Sequence, residues 1–118
     1  MISESKPFVS IILPCYNEEA ILEANLNMII KYLKGKDDKY KWEIVLINDG
    51  SKDKTGEIAD KFETSFANIR AIHHPTNLNL GNALKTGFKN SKGDILIVMD
   101  IDLSYSVDHI EAMVDKLV

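Results

Sequence analysis

Four short runs of β-branched and other apolar residues alternate along the chain with stretches whose apolar residues recur every three or four positions. The runs predict strands over residues 8–13, 42–47, 69–73 and 94–99, and the periodic stretches predict helices between and after them. Strands that alternate with helices form parallel β-α-β units with right-handed crossovers. We therefore predict an α/β fold, a Rossmann-like three-layer αβα domain around a mostly parallel central sheet.

Local signals place the ends of the predicted helices. The first helix is expected from residue 18 to about residue 33, because its apolar residues form one stripe and acids stand at its start. Ser51 or Asp53 is expected to cap the second helix, and Ser106 the fourth. Small residues of the third helix, among them Gly87, are expected to allow a close approach to the sheet.

Two of the predicted strands carry information about the sheet. Pro14 has no amide hydrogen to donate to a central ladder, so the first strand is expected to end before it. The run 94–99 is apolar on both faces, which predicts a strand in the middle of the sheet with helices on both sides. Asp100 and Asp102 follow that run, where ligands bind in the crevice outside the carboxyl ends of parallel strands.

The composition limits the class of protein. A chain of 118 residues, 45% of them hydrophobic, is long enough for one compact domain. The formal net charge of −4 argues against a general affinity for nucleic acid. A single cysteine, Cys15, forms no internal disulfide and is expected to be a small, buried or half-buried residue. Because no secretory signal precedes Phe8 and no run approaches the ~20 apolar residues of a membrane span, we expect a cytoplasmic location.

Polar and acidic side chains follow each predicted strand, and in a parallel sheet these positions share one edge. They are Tyr16 and Glu18 after the first strand, Asp49 after the second, Asn79 and Gly81 after the third, and Asp100 and Asp102 after the fourth. Carboxylate and amide oxygens suit a ligand with hydrogen-bond donors, such as a nucleobase and ribose, together with a divalent cation. We therefore predict a nucleotide site at this edge.

The spacing Asp-x-Asp at Asp100 and Asp102 predicts that one or both of these acids bind a divalent cation in the site. A diphosphate repels carboxylates unless a cation lies between them, and Mg²⁺ and Mn²⁺ prefer such hard oxygen ligands. The alternative is that the two acids form a turn and a helix cap. Lys85 and the amides near Gly81 are further candidates for the diphosphate, although Lys85 also fits a solvated helix position. Neither the dinucleotide fingerprint nor the P-loop motif occurs in the sequence.

Four ordered motifs carry a family resemblance. Residues 9–19 (VSIILPCYNEE), 47–55 (INDGSKDKT), 79–87 (NLGNALKTG) and 99–104 (MDIDLS) resemble the successive motifs of inverting nucleotide-sugar glycosyltransferases with the GT-A fold. The Asp-x-Asp-Leu-Ser form and the asparagine-glycine loop are most similar to the polyprenyl (dolichol)-phosphate mannosyl- and glucosyltransferase type. The chain departs from the commonest pattern at Asn48, where the family often has a second aspartate.

The resemblance implies roles for individual residues. It implies a base and ribose pocket that is lined by Pro14, Tyr16 and Glu18. Asp49 would accept a hydrogen bond from the base, Asp100 would contact ribose or metal-bound water, and Asp102 would ligate the cation. Taken singly, Tyr16 also fits a rim aromatic, Glu18 a first-turn helix acid, and Asp49 and Asn79 ordinary turn and loop residues.

The resemblance also implies a reaction. A hexose would pass from a GDP-mannose or UDP-glucose type donor to a polyprenyl phosphate or glycan acceptor, by a metal-assisted displacement that inverts the anomeric carbon. Members of this family continue well beyond the Asp-x-Asp segment into an acceptor-binding half. We therefore expect residues 1–118 to be the nucleotide-sugar-binding part of a longer catalytic domain, which contacts the cytoplasmic face of a membrane through its acceptor or its missing C-terminal region.

Two other classes of protein fit parts of the sequence. One is a catalytically silent nucleotide-binding module. The other is a receiver-like α/β signalling domain, but its phosphorylatable aspartate after the third strand is replaced here by His73 and His74. These adjacent histidines are expected to be ordinary strand-end residues rather than a metal pair, because neighbouring strand residues point to opposite faces.

Overall fold

The computed structural model describes residues 6–103 and 107–117. The strands are β1 (Phe8–Cys15), β2 (Lys41–Asn48), β3 (Ile69–His73) and β4 (Ile95–Val98). The helices are α1 (Leu22–Lys34), α2 (Thr55–Ser65), α3 (Asn79–Asn90) and α4 (His109–Leu117). Ser104, in the last of the four motifs, and Ser106, the predicted cap of the fourth helix, lie outside the described residues.

All pairings in the sheet are parallel, and the strand order is β3-β2-β1-β4. Helices α1, α2 and α4 pack on one face and α3 on the other, so the described residues form three layers. This arrangement confirms the predicted αβα fold. The order also differs from the 2-1-3-4-5 order of receiver domains, and it changes direction between β1 and β4, where open α/β sheets bind their ligands.

The packing of α3 on the sheet depends on a glycine. Ile12, Ile47 and Ala83 are buried between the sheet and this helix. A Cβ atom added to Gly87 would lie 2.5 Å from Cγ2 of Ile12 and 3.2 Å from Cδ1 of Ile47. Because these atoms belong to the buried face of the sheet, only glycine permits this helix position, as the small residues of the sequence predict.

The prediction that residues 94–99 form a central strand is wrong for the described residues. β4 lies at one end of the strand order. Ile95 and Ile97 are buried on the face of α1 and α4, but Leu96 and Val98 are 40% and 38% exposed on the opposite face. An apolar sequence therefore identified the strand, whereas its place in the sheet depends on which neighbour each crossover brings beside it.

The predicted end of the first strand at Pro14 is also wrong, because β1 continues to Cys15. In a parallel sheet, alternate residues of a central strand bond to alternate neighbours. Ile12 bonds to the β4 side through the Met99 amide, and Cys15 bonds to the β2 side through the Asp49 amide. Pro14 thus faces the side on which β4 has already ended at Val98, and its missing amide hydrogen leaves no ladder position unfilled.

Helix ends differ from the prediction by a few residues. α1 begins at Leu22, after a turn in which the Leu22 amide donates to the Glu18 carbonyl. Asp53 lies two residues before α2 and accepts a hydrogen bond from the Thr55 amide at 2.9 Å, while the Ser51 hydroxyl bonds elsewhere. In the ranges 6–103 and 107–117, no helix has the length and apolar character required to cross a bilayer.

Candidate nucleotide-sugar site

A cavity of about 380 Å³ lies at the carboxyl ends of the strands, beside the point where the strand order reverses. Its lining comes from the segments that follow all four strands. The lining residues are Pro14, Cys15, Tyr16, Glu18, Asp49, Asn77, Asn79, Leu80, Ala83 and Asp100. This volume falls in the range of small-molecule sites, which are typically ~300–1,000 Å³.

The cavity brings together most of the residues singled out in the sequence. Those that line it are Pro14, Tyr16, Glu18, Asp49, Asn79 and Asp100. Gly81, Lys85 and Asp102 are exposed and lie outside the lining. The sequence interpretation missed Asn77 and Leu80, which lie on either side of the predicted Asn79. The polar composition of the segment 77–79 was the available signal for Asn77, whereas Leu80 had none.

Hydrogen bonds between two neighbouring loops hold the first wall of the cavity in place. The Asn17 amide donates to Ser51 Oγ at 2.9 Å, and the Lys52 amide donates back to Asn17 Oδ1 at 2.9 Å. The Glu18 amide donates to Oγ1 of the buried Thr55 at 2.8 Å. Asn17 has a φ of 52°, a left-handed conformation that asparagine tolerates better than most residues. The positions of Tyr16 and Glu18 are therefore fixed by the β2–α2 loop.

Asp49 forms the second wall and is buried. Its Oδ1 atom accepts hydrogen bonds from the Leu78 amide at 2.9 Å and from His74 Nδ1 at 2.7 Å. Gly50, with a φ of +73°, allows the chain to turn directly beneath the next loop, because an added Cβ atom would lie 2.2 Å from the Thr76 carbonyl carbon. The loop 76–78 is thus packed against Asp49 and carries the amide that orients it.

Carboxylates from other loops lie close enough to Glu18 to affect its ionisation. Burial and the negative charges of Asp102, Asp53 and Asp100 raise the pKa of Glu18 above its usual value. Asp102 therefore lies within electrostatic reach of the cavity, although it is not part of the lining. A cation among these acids would relieve their repulsion, and the donor set consists of the hard oxygens that Mg²⁺ and Mn²⁺ prefer.

The described side chains do not by themselves make a complete metal site. Within the described ranges, no three histidine, cysteine, aspartate or glutamate side chains group closely enough to hold a metal ion. Mg²⁺ usually binds through one or two carboxylates together with substrate phosphates and water. The pair Asp100 and Asp102 fits that pattern, in which the diphosphate completes the coordination.

Cys15 lies in the cavity wall but is not prepared for nucleophilic chemistry. Its side chain is buried, as expected from the sequence. Burial, together with the charge of Glu18, raises the pKa of the thiol to about 12. The thiol therefore remains protonated at neutral pH and packs as a small apolar group.

The two strand-end histidines point to opposite faces of the sheet, as predicted. His73 Nε2 lies 2.7 Å from Asp60 Oδ1 of α2. His74 Nε2 lies 2.8 Å from Thr86 Oγ1 of α3, on the other face. The contact between His74 and Asp49 is absent from the sequence interpretation, because it depends on the parallel register that places Asn48 beside His73.

Two solved structures share this fold. The mannosyltransferase PcManGT from Pyrobaculum calidifontis, in complex with GDP-Man and Mn²⁺, matches with a TM-score of 0.72 and 24% identity over 84% of this chain and 28% of that chain. TarS 1-349 of S. aureus in complex with UDP matches with a TM-score of 0.69 and 24% identity over 92% of this chain and 32% of that chain. These similarities confirm the predicted fold, the N-terminal part of a GT-A domain.

The sequence is also similar to that of a curated protein. The relative is the dolichyl-phosphate beta-glucosyltransferase ALG5A of Trichomonas vaginalis. The two sequences are 35% identical over 109 residues, and the alignment covers 90% of this chain. The chain spans about a third of that relative's length, 34%. The model of the family described as glycosyl transferase family 2 matches residues 10–118, almost the entire sequence. The chain therefore belongs to glycosyl transferase family 2.

Proposed function

We propose that the protein transfers a hexose from a nucleoside-diphosphate sugar to a polyprenyl phosphate, and that this chain holds the donor. The observation that carries the proposal is the cavity at the strand-order reversal, where a buried carboxylate and several acids from separate loops meet. The printed names of the relatives support it, since one acts on dolichyl phosphate and a structural neighbour was solved with GDP-Man.

In this proposal, residues from different walls of the cavity bind different parts of the nucleotide-sugar donor. Asp49 accepts a hydrogen bond from the base, because a buried carboxylate stabilises a ligand N–H group. Pro14, Tyr16 and Glu18 line the base and ribose region. Tyr16, 43% exposed, places its ring at the rim, where it shields the nucleoside from water. Asn79 lines the cavity from the start of α3.

The acids beyond β4 would hold the cation. Asp100 and Asp102 would bind Mg²⁺ or Mn²⁺, which neutralises charge on the diphosphate when bound. Gly81 and Lys85, exposed on α3, are further candidates for contacts with the diphosphate when the donor projects beyond the cavity. An acceptor oxygen attacks the anomeric carbon from the side opposite the diphosphate, while the bond from that carbon to the diphosphate oxygen breaks and the nucleoside diphosphate leaves with the bonding electrons. The anomeric configuration is thereby inverted. A phosphate acceptor is already ionised and requires little help from a base.

The first test is calorimetry on the purified protein with UDP, GDP, UDP-glucose and GDP-mannose, each with and without Mn²⁺. We expect one base series to bind, with a tighter complex when Mn²⁺ is present. Asp102→Asn should remove most of the gain that Mn²⁺ provides. Asp38→Asn, the same charge change at an exposed turn beside the opposite edge of the sheet, should leave it unchanged.

The second test measures transfer to polyprenyl phosphate by the complete protein. A product with inverted configuration, and a loss of rate in Asp102→Asn, would support the proposal. A retained configuration would contradict the displacement. Nucleotide binding without any transfer would identify a binding module instead, and no binding of either nucleotide would contradict the donor site itself.

A further inference from the structure

His74 lies behind the cavity and bridges two elements that form it. Its side chain is 9% exposed, and that of Asp49 is 6% exposed. Nδ1 of His74 lies 2.7 Å from Asp49 Oδ1, and Nε2 lies 2.8 Å from Thr86 Oγ1 in α3. A buried imidazole therefore links the carboxylate in the cavity wall to the helix that covers that face of the sheet.

The partners determine which ring nitrogen of His74 carries the proton. An ionised carboxylate only accepts hydrogen bonds, so Nδ1 is protonated and donates to Asp49. In the neutral ring Nε2 then accepts, and the Thr86 hydroxyl donates to it. The ring is thus held in one tautomer by contacts at both nitrogens.

The two bonds to Asp49 converge on one of its oxygens. Oδ1 accepts one hydrogen bond from the His74 ring and one from the Leu78 amide. Within the part of the chain that the structure describes, Oδ2 receives no hydrogen bond, although the side chain lines the cavity and is buried. Oδ2 is not one of the enclosed polar side-chain atoms without a partner, which among the described residues are the hydroxyls of Tyr32 and Tyr40, so it is accessible from the cavity. A ligand N–H group can donate to it there, and a hydrogen bond to a charged oxygen is among the stronger ones.

We infer that His74 is a positioning residue for donor recognition: it fixes the Asp49 carboxylate so that Oδ2 accepts a hydrogen bond from the ring N–H of the base. The inference rests on the proposed function, because it assigns a new residue to the same site. The base it selects carries an imino N–H, as uracil does at N3 and guanine at N1. Methylation of that nitrogen removes the donor and places a methyl group against the carboxylate.

The test uses a matched pair of variants. The amide nitrogen of His74→Asn lies one bond from Cγ, as Nδ1 does, and can still donate to Asp49. The amide nitrogen of His74→Gln lies one bond further out, near the position of Nε2. This variant therefore keeps a hydrogen bond with Thr86 and loses the one donated to Asp49. His73→Gln is the control, because His73 contacts Asp60 and Asn48 on the other face.

The measured quantity is the ratio of affinities for a nucleotide and its N-methylated form, UDP with N3-methyl-UDP and GDP with N1-methyl-GDP. The wild type should prefer the unmethylated form of its own nucleotide by about 10- to 100-fold, the range of a hydrogen bond to a charged group. His74→Gln should lower the ratio to about 3 or less, while His74→Asn and His73→Gln should retain most of it. Thermal melting verifies that each variant is folded.

The outcomes separate the two proposals. If the wild type discriminates and His74→Gln discriminates equally well, the role of His74 is wrong while the donor site stands. If the wild type binds neither nucleotide, the proposed function fails and the inference with it. Should His74→Gln fail to fold, nitrogen-15 shifts of the wild-type histidine decide: a free protein with the proton on Nε2 instead of Nδ1 overturns the inference.

Discussion

Helix α3 is tied to the sheet by a buried carboxylate near each of its ends, and the two carboxylates differ in how many of their oxygens are used. Glu43, near the C-terminal end of α3, accepts from Arg70 at Oε1 and from the Ser10 hydroxyl and the Lys92 amide at Oε2. Asp49, near the N-terminal end, accepts at Oδ1 alone within the described residues. A carboxylate with both oxygens bonded stabilises the fold, whereas one with a free oxygen facing a cavity is available to a ligand.

The most severe change removes the turn that forms the Asp49 end. Gly50→Ala introduces a side chain at a φ of +73° with its Cβ 2.2 Å from the Thr76 carbonyl carbon. We expect the free energy of unfolding to fall by about 3 kcal/mol or more and nucleotide binding to be lost, because the 76–78 loop must move. Urea denaturation and calorimetry measure the two effects.

Gly81→Ala is the control for the stability measurement. An added Cβ at Gly81 has only Asn79 Oδ1 nearby, at 3.5 Å, and this residue lies within α3. The substitution should leave the free energy of unfolding unchanged or raise it by up to about 1 kcal/mol. Equal losses in both variants would show that glycine content in general, rather than the Gly50 turn, sets stability there.

The second prediction concerns the saturated carboxylate. In Glu43→Gln the amide nitrogen must face either Arg70 or the pair of donors at Oε2, and each choice opposes donor to donor. We expect the free energy of unfolding to fall by about 2 kcal/mol. Nucleotide affinity should stay within about 2-fold, since the site lies at the other edge of the sheet. A large loss of nucleotide affinity with little loss of stability would contradict the assignment of Glu43 to the fold and of Asp49 to the ligand.

The third prediction is the complementary change at Asp49. In Asp49→Asn the amide oxygen can replace Oδ1 and keep the bonds from His74 and Leu78, while the amide nitrogen faces the cavity. Stability should change by less than about 1 kcal/mol, but affinity for the preferred nucleotide should fall by about 10- to 100-fold. Calorimetry and urea denaturation of the same sample give both values. Unchanged affinity would remove Asp49 from the base site.

The smallest expected effect is a pH dependence of stability at the Glu43 end. Burial raises the pKa of Glu43, but the bonds from Lys92, Ser10 and Arg70 outweigh it and hold the pKa below its ordinary value of 4.5. A lowered pKa in the folded state means that the carboxylate stabilises the protein fully above pH 4.5 and progressively less as the pH falls below that value.

Urea denaturation at a series of pH values measures this dependence in the wild type and in Glu43→Gln. The difference between their unfolding free energies should be constant near neutral pH and shrink on acidification below pH 4.5. A difference that grows as the pH falls would mean that the ionised form of Glu43 does not stabilise the fold. Asp38→Asn, at an exposed position, serves as the parallel control.

Several parts of the site were predictable because they depend on local sequence. Tyr16, Glu18 and Asp49 follow runs of apolar residues, and the alternation of strands and helices places their ends at one edge of a parallel sheet. The small residue at position 87 likewise marked the helix that packs closest to the sheet. In each case one physical preference of a short segment, for burial or for close packing, decides the outcome.

Other parts were not predictable because they depend on pairing between distant segments. The position of β4 beside β1 follows from the crossover through α3 on the opposite face, not from the composition of the strand. The link between His74 and Asp49 depends on the register of β2 and β3, which a shift by one residue would abolish. Asn77, which lines the cavity, is likewise held by a contact between distant segments, since its Nδ2 atom donates to the Asp49 carbonyl at 3.3 Å.

The sequence by itself thus determined the order of the elements, the parallel sheet and the acidic edge, because hydrophobic periodicity and turn chemistry act over short stretches of chain. The tertiary structure alone decided which of those acids is buried, which of its oxygens is already bonded and which histidine orients it. Those properties arise only when segments far apart in the chain pack together, because burial and hydrogen-bond saturation belong to the surroundings of a residue and not to the residue itself.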